Sequence, residues 1–263
     1  MTLESEQKAP DYGIDAPGAV RNLFVVGGLG FLIWATAAAG LWSGVVAIPL
    51  GNSQVVFPFR RIGLASAIVC TFMGVWMVWD SKVGKIRTRE QLLDQIPWTG
   101  SERVLDVGCG RGLMLIGAAK RLTTGKATGI DIWRAEDLSG NTKDATLENA
   151  RREGVGERVD VLTTDMRQMP FPDATFDVAV SMSAIHNLYD AKDRAKAIAE
   201  IARVLKPGGY AIIDDIRHGP RYAADFKANG CKEIRSALSG FGSLVLTIMS
   251  CGAVRPMTLI VKK

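Results

Sequence analysis

The chain has 263 residues and a formal net charge of +5, which is enough length for one good-sized domain with an appendage or for two small domains. Its four cysteines, Cys70, Cys109, Cys231 and Cys251, show no C-x-x-C spacing, which argues against a zinc site and a disulfide framework and favours a reducing, cytoplasmic environment for the main domain. The mean hydropathy of +0.13 is slightly high, because apolar residues concentrate near the N-terminus.

The first eighty residues have the composition of a tail followed by two membrane helices. Residues 1–19 are polar, rich in Pro and Gly and of mixed charge, so we expect a flexible tail. The uncharged run from Leu23 to Leu50 exceeds the roughly 20 apolar residues that a spanning helix needs. A second run, Ile62 to Trp79, has 18 residues and just reaches that length. The sequence therefore predicts a two-helix transmembrane hairpin over residues 20–81.

Other interpretations of the two runs are less consistent with the sequence. A cleavable signal peptide would explain only the first run. Helices of a hairpin packed in a soluble protein normally carry a polar face, which neither run has. A hairpin that enters one leaflet without crossing is a further alternative.

Basic residues set the expected orientation of the hairpin. Five of them lie close to the two outer ends of the runs and two lie in the connecting loop, so the positive-inside tendency places both termini in the cytoplasm. The outer five are Arg21, Lys82, Lys85, Arg87 and Arg89, and the loop pair is Arg60 and Arg61.

Residues 82–263 follow a different pattern, in which amphipathic helices alternate with short β-branched runs. This alternation predicts one α/β domain with a doubly wound, mostly parallel sheet and helices on both faces. Strands are expected at Arg103–Val107, Ala127–Asp131, Arg158–Thr163, Phe176–Met182 and Tyr210–Ile216, with a closing strand at Met257–Lys263. Helices are expected at Arg89–Trp98, Leu113–Leu122, Thr142–Glu153 and Arg194–Leu205, the last stopped by Pro207-Gly208-Gly209. Residues 241–253 have no clear pattern.

A glycine-rich loop, residues 108–112, follows the first predicted strand. Glycines let the backbone turn tightly and approach a ligand closely. A dinucleotide site would have the spacing G-x-G-x-x-G, whose third glycine admits a pyrophosphate, but Leu113 stands at that position. Two acids follow at the ends of the next two strands, Asp131 and Asp165, and an acid at the first of these positions can accept hydrogen bonds from a ribose. The pattern favours a nucleoside ligand without phosphate.

Four segments in this order and spacing, VLDVGCGRG, GID, TTDMRQMPFPDATFDVAVS and LKPGG, resemble the class I S-adenosylmethionine-dependent methyltransferases over about Arg87 to Ile216. The F-P-D-x-x-F-D stretch is similar to that of small-molecule enzymes such as the quinone-ring C-methyltransferases. The resemblance implies a Rossmann-like, seven-stranded sheet and S-adenosyl-L-methionine as the cofactor. It also implies contacts from Asp106, Gly108 and Gly110 to the methionine part, from Asp131 to the ribose, from Asp165 and Met166 to the adenine, and from Ile132 or Trp133 to the adenine ring. Cys109 and Ser181 are further expected cofactor-binding residues.

His186 is the candidate catalytic residue, because it lies just past the end of the fourth strand and an imidazole can accept a proton near neutral pH. Contact with the substrate without proton transfer, and a structural bond to the backbone, are the alternatives. Asn187 is a candidate for orienting the acceptor. His218 is expected in a turn or at the pocket rim. Asp214 and Asp215 are expected on opposite faces of the sheet, and no metal site is predicted.

The preferred function is a membrane-anchored methyltransferase that acts on a small, lipophilic acceptor at an O, S, N or C atom. Its expected partners are that acceptor and the lipid bilayer. Nucleic acid is not expected as a partner, because the basic cluster lies beside the second apolar run. Methylation of a protein or RNA, and a catalytically inactive membrane-tethered adaptor, are the alternatives, whereas Leu113 disfavours an NAD-dependent oxidoreductase. The acceptor and the oligomeric state are left open.

Overall fold

The computed structural model describes residues 9–238, Thr247, Gly252 and residues 254–263. The chain divides into two compact units. The α/β unit comprises Met1–Tyr12, Ile86–Ala135 and Gly140–Lys263, and the hairpin unit comprises Gly13–Lys85 and Glu136–Ser139. Residues 241–253, which the sequence left unassigned, lie outside the described part of the chain except for Thr247 and Gly252.

The hairpin unit is built from two long helices joined by a small antiparallel hairpin. Helix α1 covers Pro17–Ala38, strand β1 covers Val46–Leu50, strand β2 covers Ser53–Phe57 and helix α2 covers Phe59–Trp79. A π-helical turn, Asp80–Gly84, continues α2 into helix α3, Lys85–Leu93. Both α1 and the continuous helix that contains α2 are long and apolar enough to cross a membrane, by length and composition alone.

Glycines let α1 and α2 approach closely. A methyl group added to Gly30 would lie 2.7 Å from the carbonyl oxygen of Gly63, and one added to Gly63 would lie 2.7 Å from the carbonyl oxygen of Gly30. Any side chain at these two positions would therefore force the helix backbones apart. Small residues at a helix contact are typical of membrane proteins, where close backbone approach replaces large interlocking side chains.

Two predictions for this part of the chain are wrong. Residues 9–19, predicted as part of a flexible tail, have a defined structure, because residues 9–12 belong to the α/β unit and α1 begins at Pro17, a residue well suited to a first helical position. The first apolar run is not helical to Leu50. Its helix ends at Ala38, and Gly40 and Gly44, with φ of +75° and +72°, turn the chain toward β1.

The α/β unit confirms the predicted fold class. Its seven strands lie in the order β5-β4-β3-β6-β7-β9-β8, and all are parallel to one another except β9, which pairs antiparallel with both neighbours. The strands are β3 (Arg103–Val107), β4 (Lys126–Asp131), β5 (Val159–Thr163), β6 (Phe176–Met182), β7 (Leu205–Asp215), β8 (Glu233–Leu238) and β9 (Met257–Lys262). The helices between them are α4 (Leu113–Ala119), α5 (Lys143–Arg152), α6 (Ala191–Val204) and α7 (Gly219–Ala228).

The C-terminal third departs most from the predicted elements. Strand β8 and helix α7 were not predicted, whereas the closing strand was. The Pro-Gly-Gly segment does not stop α6, since α6 already ends at Val204 and the segment lies inside β7. Pro207 disfavours a helical conformation at Lys206, and Leu205 is already extended, with ψ of 133°.

The connections place a crevice at the centre of the sheet. From β3 the chain winds outward through β4 to β5, then returns to β6 on the other side of β3 and winds outward again. Strand order reverses between β3 and β6, and in such sheets ligands bind outside the carboxyl ends of the strands at this point. The loops after β3, β4, β5 and β6 are therefore the ones that can form a site.

Candidate active site

The glycine loop after β3 is held in a conformation that side chains rarely adopt. Gly108, Gly110 and Gly112 have φ of +73°, +51° and +88°, in the left-handed region that favours glycine. A methyl group at Gly108 would collide with the side chain of Ala184, in the loop after β6, and would lie 3.6 Å from the Met166 methyl carbon, in the loop after β5. The two loops thus converge on Gly108, and the close packing of Ala184 leaves no room for a Cβ there.

Asp131, at the end of β4, joins the same arrangement. One carboxylate oxygen accepts a hydrogen bond from the Gly110 amide at 2.8 Å, and the other accepts from the Trp133 amide at 2.6 Å. Trp133 has a φ of +61°, a conformation that is costly for a large side chain, and its indole nitrogen donates to Thr163 at 2.7 Å. The acid predicted to hold a ribose is therefore in direct contact with the glycine loop.

Asp165 lies at the same edge of the sheet, since β4 and β5 are adjacent and parallel. Its carboxylate forms a two-pronged ion pair with Arg167, with contacts of 2.6 and 3.0 Å, and this pairing holds the pKa of Asp165 below its usual range. Arg167 also contacts Asp193 at 2.5 Å. Arg167 was not among the predicted site residues, although the sequence has an Asp-x-Arg spacing here. Any ligand amine that approaches Asp165 has to share the carboxylate with this guanidinium.

Three predicted cofactor residues have side chains directed into the protein interior. Asp106 is 1% exposed and accepts a hydrogen bond from the Leu115 amide at 2.7 Å, and burial raises the pKa of its carboxyl group to about 8. Cys109 is buried, which raises the pKa of its thiol, and its sulfur would lie 2.8 Å from a methyl group at Gly129. Ser181 is 1% exposed and donates to the Val107 carbonyl at 2.8 Å. These side chains support the loop from the protein interior. Ile132, another predicted cofactor residue, is exposed.

His186 lies in a 3₁₀ turn, Ile185–Asn187, just after β6. Its Nδ1 atom is 2.5 Å from Oδ1 of Asp215, and its backbone amide donates to Oδ2 of the same carboxylate at 3.0 Å. The His186 side chain is 17% exposed and that of Asp215 is 3% exposed. A buried carboxylate on Nδ1 fixes the ring orientation and places the ring proton on Nδ1, which leaves Nε2 as a proton acceptor. This pairing was not predicted.

The residues around this pair have separate partners. The Asp215 carboxylate also accepts from the Ile216 amide at 2.7 Å and from the Tyr222 hydroxyl at 3.4 Å, and burial together with Asp215 raises the pKa of Tyr222. Asp214 instead accepts from the Thr258 hydroxyl at 2.5 Å, so the two adjacent acids are split as predicted. His218 is the N-terminal cap residue of α7, with a φ of +66°.

Asn187 is half-buried, and its backbone amide donates to the Ala184 carbonyl at 3.2 Å. Within the described residues, no group of three or more His, Cys, Asp or Glu side chains is arranged to hold a metal ion. The role predicted for Asn187, orienting the acceptor, stays a prediction. The predicted cofactor contacts of the other residues also stay predictions.

The family model of a methyltransferase domain matches residues 105–213. Residues 105–213 are a methyltransferase domain. The matched range contains the glycine loop, Asp131, Asp165 and His186 and ends just before Asp215. The prediction of an S-adenosylmethionine-dependent methyltransferase domain is confirmed, and the seven-stranded sheet around it is the fold expected for that class.

The methyltransferase domain is similar to curated methyltransferases. Over 123 residues it is 37% identical to sterol 4-C-methyltransferase strm-1 of Caenorhabditis elegans, which covers 47% of this chain and 34% of that protein. Over 121 residues it is 33% identical to the demethylmenaquinone methyltransferase of Lactiplantibacillus plantarum, which covers 46% of this chain and 47% of that protein. The matched region thus spans less than half of either relative.

Among solved structures, the chain resembles the [4+2]-cyclase SpnF, with a TM-score of 0.55 and 20% identity over 68% of this chain and 80% of that chain. At this level of identity the similarity concerns the fold alone. Because a protein named as a cyclase shares the fold, the reaction has to be argued from the site residues.

Proposed function

We propose that this chain is a membrane-anchored methyltransferase that moves a methyl group from S-adenosylmethionine to a small, lipophilic acceptor, with His186 as the general base. The observation that carries the proposal is the 2.5 Å contact between His186 and the buried Asp215, at the same edge of the sheet as the glycine loop.

The glycine loop and Asp131 fit the proposed cofactor. The glycine loop presents main chain without side chains at Gly108, Gly110 and Gly112, and the half-exposed Asp131 carboxylate offers acceptor oxygens to the hydroxyls of a ribose. When bound, S-adenosylmethionine would supply an electrophilic methyl group on a sulfonium sulfur. The protein then has to align the acceptor and, for a weak nucleophile, remove its proton.

His186 is suited to the removal of that proton. Asp215 holds the imidazole through Nδ1, so the accepting Nε2 atom points away from the carboxylate, and the buried negative charge stabilises the imidazolium that forms. A base of this kind serves a hydroxyl, a thiol or a carbon acid. These are the acceptor groups that we expect.

The dimensions of α2 support a helix that spans the bilayer. Its 21 residues correspond to about 30 Å at the usual helical rise, close to the thickness of the hydrocarbon core. Aromatic side chains cluster at both ends: Trp42 and Phe57 pack near Phe59, and Trp76 packs against Trp79. Such aromatic belts are typical of the two membrane interfaces.

The two short strands β1 and β2 limit how the hairpin unit can be placed in the bilayer. Its strands pair only with each other, so their outer edges carry unpaired backbone groups, which a bilayer core does not tolerate. We therefore infer that α1 and α2 cross the bilayer and that β1 and β2 lie at the interface on the far side. Both termini and the methyltransferase domain are then cytoplasmic, as the basic residues near the outer helix ends favour.

A lipophilic acceptor is supported by the anchor and by the relatives. An anchored enzyme stays near molecules dissolved in the bilayer, which raises their effective concentration at its site. The two relatives are named for a sterol and for demethylmenaquinone, both lipid-soluble compounds. A protein or RNA acceptor, and an inactive adaptor, are the competing outcomes of the tests below.

Calorimetric titration of the full chain in detergent micelles tests the cofactor assignment. S-adenosylmethionine and S-adenosylhomocysteine are expected to bind with one site per chain, and NAD is expected not to bind. Binding of NAD alone, or of none of the three, would contradict the proposal.

A further inference from the structure

Residues 9–12, the N-terminal strap, are not a free tail but lie against helix α5 of the α/β unit. The Asp11 amide donates to the side-chain oxygen of Asn149 at 3.0 Å, and the Asn149 side-chain nitrogen donates to the Asp11 carbonyl at 2.8 Å. The Asn149 amide thus pairs with the Asp11 backbone as a neighbouring strand would. Arg152 adds a hydrogen bond to the Ala9 carbonyl at 3.2 Å.

The same asparagine also holds the glycine loop. Its side-chain nitrogen donates a second hydrogen bond to the Arg111 carbonyl at 2.9 Å, and the Asn149 side chain is 1% exposed. One helical turn earlier, the Thr146 hydroxyl donates to the Gly110 carbonyl at 2.6 Å. Helix α5 therefore fixes two consecutive carbonyl groups of the loop, and the strap holds the orientation of the asparagine that fixes one of them.

An ion pair links the strap to the loop directly. The Arg111 guanidinium is 3.2 Å from the Asp11 carboxylate, and the Arg111 side chain is 16% exposed. A mostly buried guanidinium makes a stronger charge-assisted contact than a surface pair would. Arg111 is thus tied to the strap both through its side chain and, through Asn149, by its carbonyl group.

A second attachment of the strap lies away from the loop. Tyr12 is 5% exposed, its hydroxyl donates to Glu153 at 2.9 Å, and Arg89 donates to that hydroxyl at 3.2 Å. The Arg89 guanidinium also lies over the Tyr12 ring, 5.6 Å from its centre. The hydroxyl of Tyr12 therefore fastens the strap to the domain through Glu153 and Arg89, which lie outside the glycine loop, and its removal provides a matched control.

We propose that Asp11, Asn149 and Arg111 position the glycine loop for the cofactor, so that cofactor affinity depends on the segment that precedes the first apolar helix. This inference rests on the proposed binding of S-adenosylmethionine. Three glycines with positive φ make the free loop flexible, and a loop that is already ordered loses less entropy when a ligand binds. The three are positioning residues, since they act through the loop main chain.

The test compares Asp11→Ala and Asn149→Ala with Tyr12→Phe in the full chain, using calorimetric affinity for S-adenosylhomocysteine and the melting temperature. Asp11→Ala removes the ion pair with Arg111, and Asn149→Ala removes three side-chain hydrogen bonds. We expect both variants to raise the dissociation constant about 3- to 10-fold, since part of the lost interaction energy is expressed in the order of the loop. Tyr12→Phe is expected to lower the melting temperature about as much as Asp11→Ala and Asn149→Ala do. Its dissociation constant is expected to change less than twofold. Asp11→Asn, which keeps an acceptor for Arg111, is expected to recover part of the affinity.

The outcomes separate this inference from the function on which it rests. If the wild-type chain does not bind S-adenosylhomocysteine, the proposed function fails and the inference fails with it. If the wild-type chain binds but Asp11→Ala and Asn149→Ala bind equally well, the inference alone is overturned. It is also overturned if Tyr12→Phe weakens binding as much as the other two, because the strap would then act only through general stability.

Discussion

The two units of this chain use apolar residues in opposite ways. In the α/β unit, Leu105 and Ile198 are fully buried between sheet and helices. In the hairpin unit, Phe31 and Ile68 are 57% and 61% exposed, whereas the buried positions of α1 and α2 are mostly glycine and alanine. An apolar surface of this extent is not expected on a soluble monomer. The two units thus differ in where their apolar side chains lie, and the proposed membrane anchor rests on this contrast.

Some helix ends also differ between the two units. Thr142 and Asp190 precede helices α5 and α6, and their side chains accept hydrogen bonds from the first turn. Neither α1 nor α2 has a side-chain cap, and neither do α4 and α7 of the α/β unit. In the α/β unit, the sequence marks α5 and α6 by their caps as well as by their amphipathic pattern. In the hairpin unit, it marks the helices mainly through length and hydropathy.

The largest effect is expected at His186, because it tests whether the α/β unit is an active enzyme. His186→Ala should lower the rate of methyl transfer by about 10²- to 10⁴-fold, the usual contribution of a general base, while the affinity for S-adenosylmethionine stays within twofold. Single-turnover kinetics and calorimetry check the two halves of this statement. His218→Ala is the matched control, and wild-type rates for His186→Ala would show that the histidine is structural.

The next effect tests whether the hairpin unit is in lipid. Ile68→Lys places a charge on the exposed face of α2, which costs about 2.5–3.5 kcal/mol at the centre of a spanning helix but within about 0.5 kcal/mol at a water-exposed surface. We expect a clear loss of membrane-integrated protein after alkaline extraction. Ile68→Leu is the control. An unchanged membrane fraction for the lysine variant would contradict the proposal that the exposed face of α2 lies in lipid.

Much of the α/β unit could be predicted from sequence, because its signals are local. Strands β3 and β6 were predicted to the residue, since each is a short run rich in apolar and β-branched residues. The pairing of His186 with Asp215 could not be read in the same way. It joins residues from the ends of β6 and β7, and it depends on a register, Met182 opposite Asp214, that only the folded sheet sets.

The prediction for the N-terminal region was wrong for a related reason. Its polar composition is typical of a disordered tail, yet Asp11 and Tyr12 are fixed by partners more than 70 positions away, Asn149 and Arg89. Long-range contacts of this kind leave no local pattern. Strand β1 was missed because its residues are as apolar as the helix before it, and hydropathy alone does not separate strand from helix.

A smaller effect is expected at Asp131. Asp131→Ala should weaken cofactor binding by about 1–3 kcal/mol, the range for losing hydrogen bonds to a charged group. Calorimetry with S-adenosylhomocysteine measures this directly. Asp160→Ala, on the exposed side of β5, is the control. Unchanged affinity in Asp131→Ala would remove this carboxylate from the site.

Helix contact in the hairpin unit is tested by two nearby glycines. A methyl group at Gly30 would lie 2.7 Å from a backbone oxygen of α2, whereas one at Gly28 would meet nothing within 4 Å. Gly30→Ala is therefore expected to destabilise the α1–α2 contact by about 1–3 kcal/mol, the usual cost of overpacking. Gly28→Ala should be neutral or slightly stabilising. Proteolytic resistance of the hairpin in micelles distinguishes them, and equal behaviour would contradict the described packing.

The smallest effect concerns the pH dependence of stability. Because burial raises the pKa of Asp106 to about 8, the folded state keeps this proton at pH values where the unfolded state has lost it. This group therefore makes the folded state less stable as pH rises from about 4 toward 8. Asp106→Asn should flatten the fall in melting temperature over that window. An unchanged slope would show that the carboxyl group is already ionised in the folded protein.

The most direct test of the whole account is the transfer of a tritiated methyl group from S-adenosylmethionine to a membrane extract, followed by separation of lipid-soluble and water-soluble products. We predict that the wild-type chain labels a small molecule in the lipid fraction and that His186→Ala does not. Label that appears only in protein or RNA, or no label above background, would contradict a methyltransferase that acts on acceptors dissolved in the membrane.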